Sequence, residues 1–143
     1  MFLGEYSHTV DNKNRMAIPA KFRADLKEGA VITRGLDNCL FLFTKKDWVE
    51  LVTKIAQLPL SQANARSFSR MMLTGAMEVQ LDKLGRILLP EYLKKFAGLS
   101  KNVIVGGVLN RIEVWDENKW KTYKIKSEKD VGKIAEGMAE LGI

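Results

Sequence analysis

The chain states one pattern twice. Residues 10–19 read Val-Asp-Asn-Lys-Asn-Arg-Met-Ala-Ile-Pro, and residues 81–90 read Leu-Asp-Lys-Leu-Gly-Arg-Ile-Leu-Leu-Pro. Asp11, Arg15 and Pro19 fall on Asp82, Arg86 and Pro90 at an offset of 71. Further on the echo runs at an offset of 72, with Gly35 on Gly107, Asn38 on Asn110, Leu40 on Ile112, Phe43 on Trp115 and Trp48 on Trp120. A one-residue loop insertion accounts for the shift. Two copies are too few for a solenoid, which needs roughly three or more repeats. With 143 residues, 46% of them hydrophobic, the chain is expected to be one pseudo-twofold domain with a shared core. The repeats are placed at 5–47 and 76–119, a helical insertion at 49–73 and a C-terminal helical segment at 120–143.

Each copy predicts strand, turn, strand, helix, strand, turn, strand and a trailing helix. The opening strands are Phe2–Val10 and Met77–Leu81. The turns that follow, Asp11–Asn14 and Asp82–Gly85, suit a type I turn with a left-handed fourth residue and a G1 bulge. Gly85 takes that conformation without steric cost, and Asn14 is among the next most tolerant residues. The leading Asp accepts a hydrogen bond from the backbone two residues on. The second hairpin strands are Arg15–Ile18 and Arg86–Leu89. Pro19 and Pro90 then suit the first position of helices that end near Lys27 and Ala97, with Gly29 and Gly98 as stops.

Strands Ala30–Arg34 and Cys39–Phe43 follow in the first copy, and Val103–Val105 and Arg111–Trp115 in the second. Gly106-Gly107 reads as a bulge or bend. Thr44 and Asp116 are suitable caps for helices starting near Lys45 and Glu117. Pro59 splits the insertion into two helical pieces, the second over about Ser61–Met72. Val131, Ile134, Met138 and Leu141 recur at helical spacing near the end. Such stripes read as core cover or as a subunit interface.

The net charge of +6 is unevenly placed. Residues 66–111 carry eight basic and three acidic side chains, whereas 112–143 carry six and seven. The excess sits around the repeat motifs, which favours a polyanionic partner, although charge alone also fits a merely basic soluble protein. Catalysis is disfavoured. His8 and Cys39 are the only residues of their types, far in sequence from any obvious partner, and read as structural or surface and as a small core residue respectively. No phosphate loop, zinc ligand set or dinucleotide loop is present, so no cofactor, metal or small-molecule substrate is expected. A lone cysteine fits a reducing cytosol, and neither a signal peptide nor a membrane span is expected.

Arg15 and Arg86 stand one residue past the left-handed position, at the rim of a rigid hairpin, with Lys13 and Lys83 on the turn. A two-stranded ribbon is narrow enough for the major groove of B-DNA. There an Arg fork can bond a guanine edge or a phosphate, and the Lys would add salt-dependent phosphate contacts. The same residues also suit a structural pair, Arg15 with Asp11 and Arg86 with Asp82, that fixes the turn and contributes little stability. Both roles are compatible.

With these residues in view, the sequence resembles the MraZ family along nearly its whole length. The marks are the Met-Phe-Leu-Gly start, the two Asp-x-x-x-Arg motifs, the two Pro-led helices and the Leu-Asp-x-x-Gly-Arg-Ile string at 81–87. That string is also similar to the AbrB type of DNA-binding half-barrel. The resemblance implies an α+β fold, a swapped-hairpin, double-split β-barrel of two AbrB-like halves with peripheral helices. It implies a bacterial transcriptional regulator, largely a repressor, of a division and cell-wall gene cluster that includes its own gene. It implies a cytoplasmic, nucleoid-associated protein that forms ring-shaped oligomers on direct repeats in promoter DNA. The DNA-binding residues it implies are Asp11, Arg15, Asp82 and Arg86. The family pattern is less regular in the first copy, where Asn14 stands for Gly85 and stiffens the turn. The alternative reading is an AbrB-like interaction or antitoxin-type assembly module without operator recognition.

Overall fold

Alternation of apolar and polar residues along β1 (Phe2–Thr9) hands one face to the core and one to solvent, while the four leading residues of β3 (Ala30–Arg34) and β4 (Leu40–Thr44) are buried on both faces. The computed structural model describes residues 1–143. Between β1 and β3 come β2 (Arg15–Ala17) and α1 (Ala20–Leu26). After β4 come α2 (Lys45–Ala56) and α3 (Ala63–Thr74). The second copy supplies β5 (Met77–Val79), β6 (Arg86–Leu88), α4 (Glu91–Ala97), β7 (Asn102–Leu109) and β8 (Arg111–Asp116). Helices α5 (Glu117–Lys129) and α6 (Val131–Met138) close the chain. The Thr44 hydroxyl accepts from the Asp47 N–H at 3.0 Å and the Asp116 carboxylate from the Lys119 N–H at 3.4 Å, so both expected caps are in place. Pro19 and Pro90 each sit one position earlier than expected. They are the N-cap residues, with extended ψ of 134° and 137°.

Six strands form one antiparallel sheet in the order β1-β7-β8-β4-β3-β5, and β2 pairs with β6 in a separate ribbon. The pairing crosses between the copies. His8 of β1 faces Val103 of β7, and Val79 of β5 faces Ala30 of β3. At the centre Phe41 faces Glu113, and in the ribbon Met16 faces Ile87. Each of these last two pairs joins equivalent residues, so a pseudo-twofold axis passes through both.

The register also corrects the alignment of the copies. Val79 lies 71 beyond His8, Val103 lies 73 beyond Ala30, and Glu113 lies 72 beyond Phe41. The single insertion is therefore two length changes: a link two residues longer before β7 and a turn one residue shorter after it. Arg34, not Gly35, occupies the place of Gly107.

The expected barrel is not closed. β1 and β5 are the two edges of an open sheet. The anticipated hairpins are reduced to their turns, since β2 and β6 have three residues each and spend their pairing on one another. Only an isolated bridge between Val10 and Met16 joins the first hairpin. The fold is thus α+β, with an open antiparallel sheet and six helices.

One face of the sheet packs on the ribbon, α1 and α4, around Met16, Ile18, Leu26, Ile87, Leu89 and Leu93. The other face packs on α2, α3 and α5 through Phe41, Phe43, Ile55, Met72 and Trp115. α6 buries no residue, and Val131, Ile134, Met138 and Leu141 are exposed, so this stripe does not cover the core of its own chain.

The Gly106-Gly107 pair is not a bulge. β7 continues unbroken through it, with Glu5 opposite Gly106 and Gly4 opposite Gly107. What Gly107 provides is room: a Cβ there would lie 2.4 Å from the Leu3 nitrogen and 2.5 Å from the Phe2 carbonyl carbon, whereas one on Gly106 meets nothing within 4 Å. Gly107→Ala should therefore cost about 1–3 kcal/mol in urea unfolding. Gly106→Ala should stay within about 0.5 kcal/mol of the parent. Equal stabilities for the two variants would contradict the close approach of β1 to β7.

Candidate nucleic-acid interface

The two Asp-x-x-x-Arg turns have the same hydrogen bonds. The Asn14 N–H donates to the Asp11 carbonyl at 3.0 Å, and the Asp11 N–H donates to the Arg15 carbonyl at 3.0 Å. Gly85, Asp82 and Arg86 repeat this at 3.0 and 2.9 Å. Asn14 has φ of 60° and Gly85 of 74°, the left-handed conformation expected of both. Asp11 Oδ1 accepts from the N–H groups of Lys13 at 2.9 Å and Arg15 at 2.8 Å, and Oδ2 accepts from Arg15 Nε at 2.8 Å. Asp82 Oδ1 accepts from Leu84 and Arg86, both at 2.9 Å, and Oδ2 from Arg86 Nε at 2.8 Å.

Each carboxylate therefore does two things. It closes the turn and it fixes the guanidinium that follows. The Arg15 and Arg86 backbone N–H groups hold the Asp11 and Asp82 carboxyls below the usual carboxylate range; partial burial opposes this, and the Arg side chains add to it. Arg15 and Arg86 are partly exposed, at 34% and 26% of the side chain. The bond to Asp uses Nε, so the Nη groups remain available as donors. Lys13 and Lys83 are exposed on the turns.

The ribbon brings the two turns together. Met16 and Ile87 are buried, so alternation puts Arg15, Ala17, Arg86 and Leu88 on the outward face. Arg15 faces Leu88 and Arg86 faces Ala17. The two Arg are diagonal neighbours, their backbones roughly 7–8 Å apart. The ends of the ribbon are locked as well. The Ile18 N–H donates to the Gly85 carbonyl at 2.9 Å, and the Leu89 N–H to the Asn14 carbonyl at 2.7 Å. All six residues singled out in the sequence thus lie on one ribbon and its two terminal turns.

Two basic residues packed against these turns, Arg23 on α1 and Lys94 on α4, were not singled out from the sequence. Arg23 Nε donates to the Ile18 carbonyl at 2.8 Å, and its side chain occupies the space where Gly85 would carry a Cβ. Lys94 Nζ donates to Asn14 Oδ1 at 3.0 Å, and Asn14 Nδ2 donates to Glu91 at 2.7 Å. Arg23 and Lys94 are 71 apart, so the signal was present in the repeat: a basic residue four places after each proline.

The remaining reactive groups lie elsewhere in role. His8, on β1, has its pKa lowered by burial and then by Arg23. Cys39 is buried, its thiol is pushed far up by that burial, and its Sγ donates to the Leu36 carbonyl at 3.1 Å. No three His, Cys, Asp or Glu side chains are grouped to hold a metal. No helix is long and apolar enough to cross a membrane.

Comparison with known proteins places the chain in a family. Residues 1–71 and 72–141 each match the model of one family, described as "MraZ protein, putative antitoxin-like". The chain is 47% identical to the transcriptional regulator MraZ of Natranaerobius thermophilus, 48% to that of Acetivibrio thermocellus and 47% to that of Caldicellulosiruptor saccharolyticus. Each match covers 143 residues and the full length of both chains. These relatives are regulators of transcription and not enzymes. With two family matches that together span residues 1–141, the chain belongs to the MraZ family.

Proposed function

We propose that this chain is a sequence-specific DNA-binding repressor of a division and cell-wall gene cluster, its own promoter included. It binds direct repeats in double-stranded promoter DNA as a ring-shaped homo-oligomer, in the cytoplasm and on the nucleoid, without cofactor, membrane or small-molecule substrate. The observation that carries the reading is the presentation of Arg15 and Arg86 on one ribbon face, each oriented by an Asp through Nε. A prearranged fork loses less freedom on binding a planar base edge or a phosphate. Lys13 and Lys83 flank the ribbon where phosphates would pass. The ring is supported by the exposed apolar stripe of α6, which has no partner within the chain.

A second reading rests on that same stripe and on the antitoxin-like description of the family: an assembly module that binds protein and leaves the arginines solvated. Salt separates the two. Operator affinity should fall steeply and linearly in log–log form as salt rises, whereas an apolar interaction should not.

Arg15→Ala and Arg86→Ala should each weaken binding to the chain's own upstream region by roughly tenfold to a hundredfold, with melting temperature and oligomer size unchanged. Fluorescence anisotropy on labelled promoter fragments measures this, and wild-type affinity in both variants would sink the site assignment.

The Asp carboxyls give a pH test. Their folded pKa values lie below the ordinary one, so the stability they supply is present above about pH 4 and is lost as pH falls through the folded values. The Asp11→Asn, Asp82→Asn double variant should therefore show a shallower acid-induced drop in melting temperature below pH 4 than the parent. Identical acid profiles would mean the carboxylates do not hold the turns.

A further inference from the structure

Each turn is gripped from the other repeat. Arg23 belongs to α1 of the first copy but packs on Gly85 of the second, with its Nε, Cζ and Cδ 2.4–2.7 Å from where a Gly85 Cβ would lie. Lys94 belongs to α4 of the second copy but bonds Asn14 of the first at 3.0 Å. Both basic residues are half-buried. Their acceptors are neutral oxygens, the Ile18 carbonyl and the Asn14 carboxamide.

The one irregularity of the repeat fits this arrangement. The space beside the left-handed residue is filled in both turns, but by different groups. In the second turn the Arg23 side chain fills it from Cδ to Cζ, and would have to move aside for any Cβ at Gly85. In the first turn the Asn14 carboxamide fills it, bridging Lys94 and Glu91.

We propose that Arg23 and Lys94 are positioning residues for the DNA contacts, Arg23 setting Arg86 and Lys94 setting Arg15 across the pseudo-twofold. The pairs Gly85/Arg23 and Asn14/Lys94 are matched, so neither turn residue can be exchanged alone. The path is short. Arg23 holds the Ile18 carbonyl, the Ile18 N–H holds the Gly85 carbonyl, and Arg86 follows Gly85. On the other side Lys94 holds the Asn14 side chain, the Leu89 N–H holds the Asn14 carbonyl, and Arg15 follows. The proposal rests on the reading of Arg15 and Arg86 as DNA contacts, so its test needs one arm without DNA.

That arm is hydrogen–deuterium exchange of the intact assembly, followed in peptides covering 11–15 and 82–86. Arg23→Ala should speed exchange in 82–86 and leave 11–15 unchanged; Lys94→Ala should do the reverse. The second arm is promoter affinity across a salt series. Each variant should lose roughly tenfold, as for one charge-assisted hydrogen bond, with the salt slope of the parent. Gly85→Asn, which φ tolerates but Arg23 does not, should lose as much, and Gly85→Asn with Arg23→Lys should recover to about twofold of the parent. Exchange that changes in neither turn, or in the turn of the same repeat, overturns the proposal. A salt slope smaller by about one without any change in exchange also overturns it and makes Arg23 a direct phosphate contact. If exchange behaves as expected while even Arg15→Ala and Arg86→Ala bind normally, the brace stands but the DNA reading fails, and the positioning role with it.

Discussion

Strand exchange between the two copies is the constraint on which the molecule depends. β1 finds its partner in β7, β5 in β3 and β2 in β6, each from the opposite repeat. A single copy would leave its first two strands without a ladder, and unpaired backbone groups are costly to bury. The exchange also sets the site. Because Met16 faces Ile87 across the axis, the residues that precede them, Arg15 and Arg86, come to one face of one ribbon by register. Their spacing is a property of the sheet and not of a loop, as the proposed contact with a regular polymer would require.

Much of this was legible. Asp followed three residues later by Gly or Asn specified the turn, because few residues adopt positive φ there, and the same Asp announced the bond to the N–H two residues on. Thr44 and Asp116 marked helix starts for equally local reasons. What could not be read was partnership. Alternation along a strand fixes which face is buried but not which strand lies beside it, so the ribbon, the open sheet and the two length changes between copies emerged only in three dimensions. Gly107 is the clearest instance. Its sequence context suggested a bend, yet its role is set by Phe2 and Leu3, about a hundred residues away. Arg23 and Lys94 were missed for the same reason, since each serves the other copy's turn. The stripe of Val131, Ile134, Met138 and Leu141 reads first as core cover and second as an interface in one dimension, and its exposure shows that it does not cover the core of its own chain.

The electrostatics follow from the same geometry. Each turn contributes an Asp, a Lys and an Arg and so nets one positive charge; Arg23 adds one more beside the second, whereas beside the first Lys94 is offset by Glu91 on the same Asn14 side chain. Asp11 and Asp82 do not cancel the patch; they shape it. The carboxyl pKa values of Asp11 and Asp82 are lowered because two backbone N–H groups and a guanidinium hold each one. A surface of this kind draws in a polyanion at long range and presents a fixed pair of forks at short range.

The central claim is that the outward face of the β2–β6 ribbon is where DNA sits. The structure of the assembled protein bound to its own upstream DNA tests it most directly. The account predicts that the guanidinium groups of Arg15 and Arg86 from the same chain lie within hydrogen-bond distance of the duplex, with Lys13 and Lys83 beside flanking phosphates. A duplex seated on any other surface, with both Asp–Arg turns left in solvent, would contradict it.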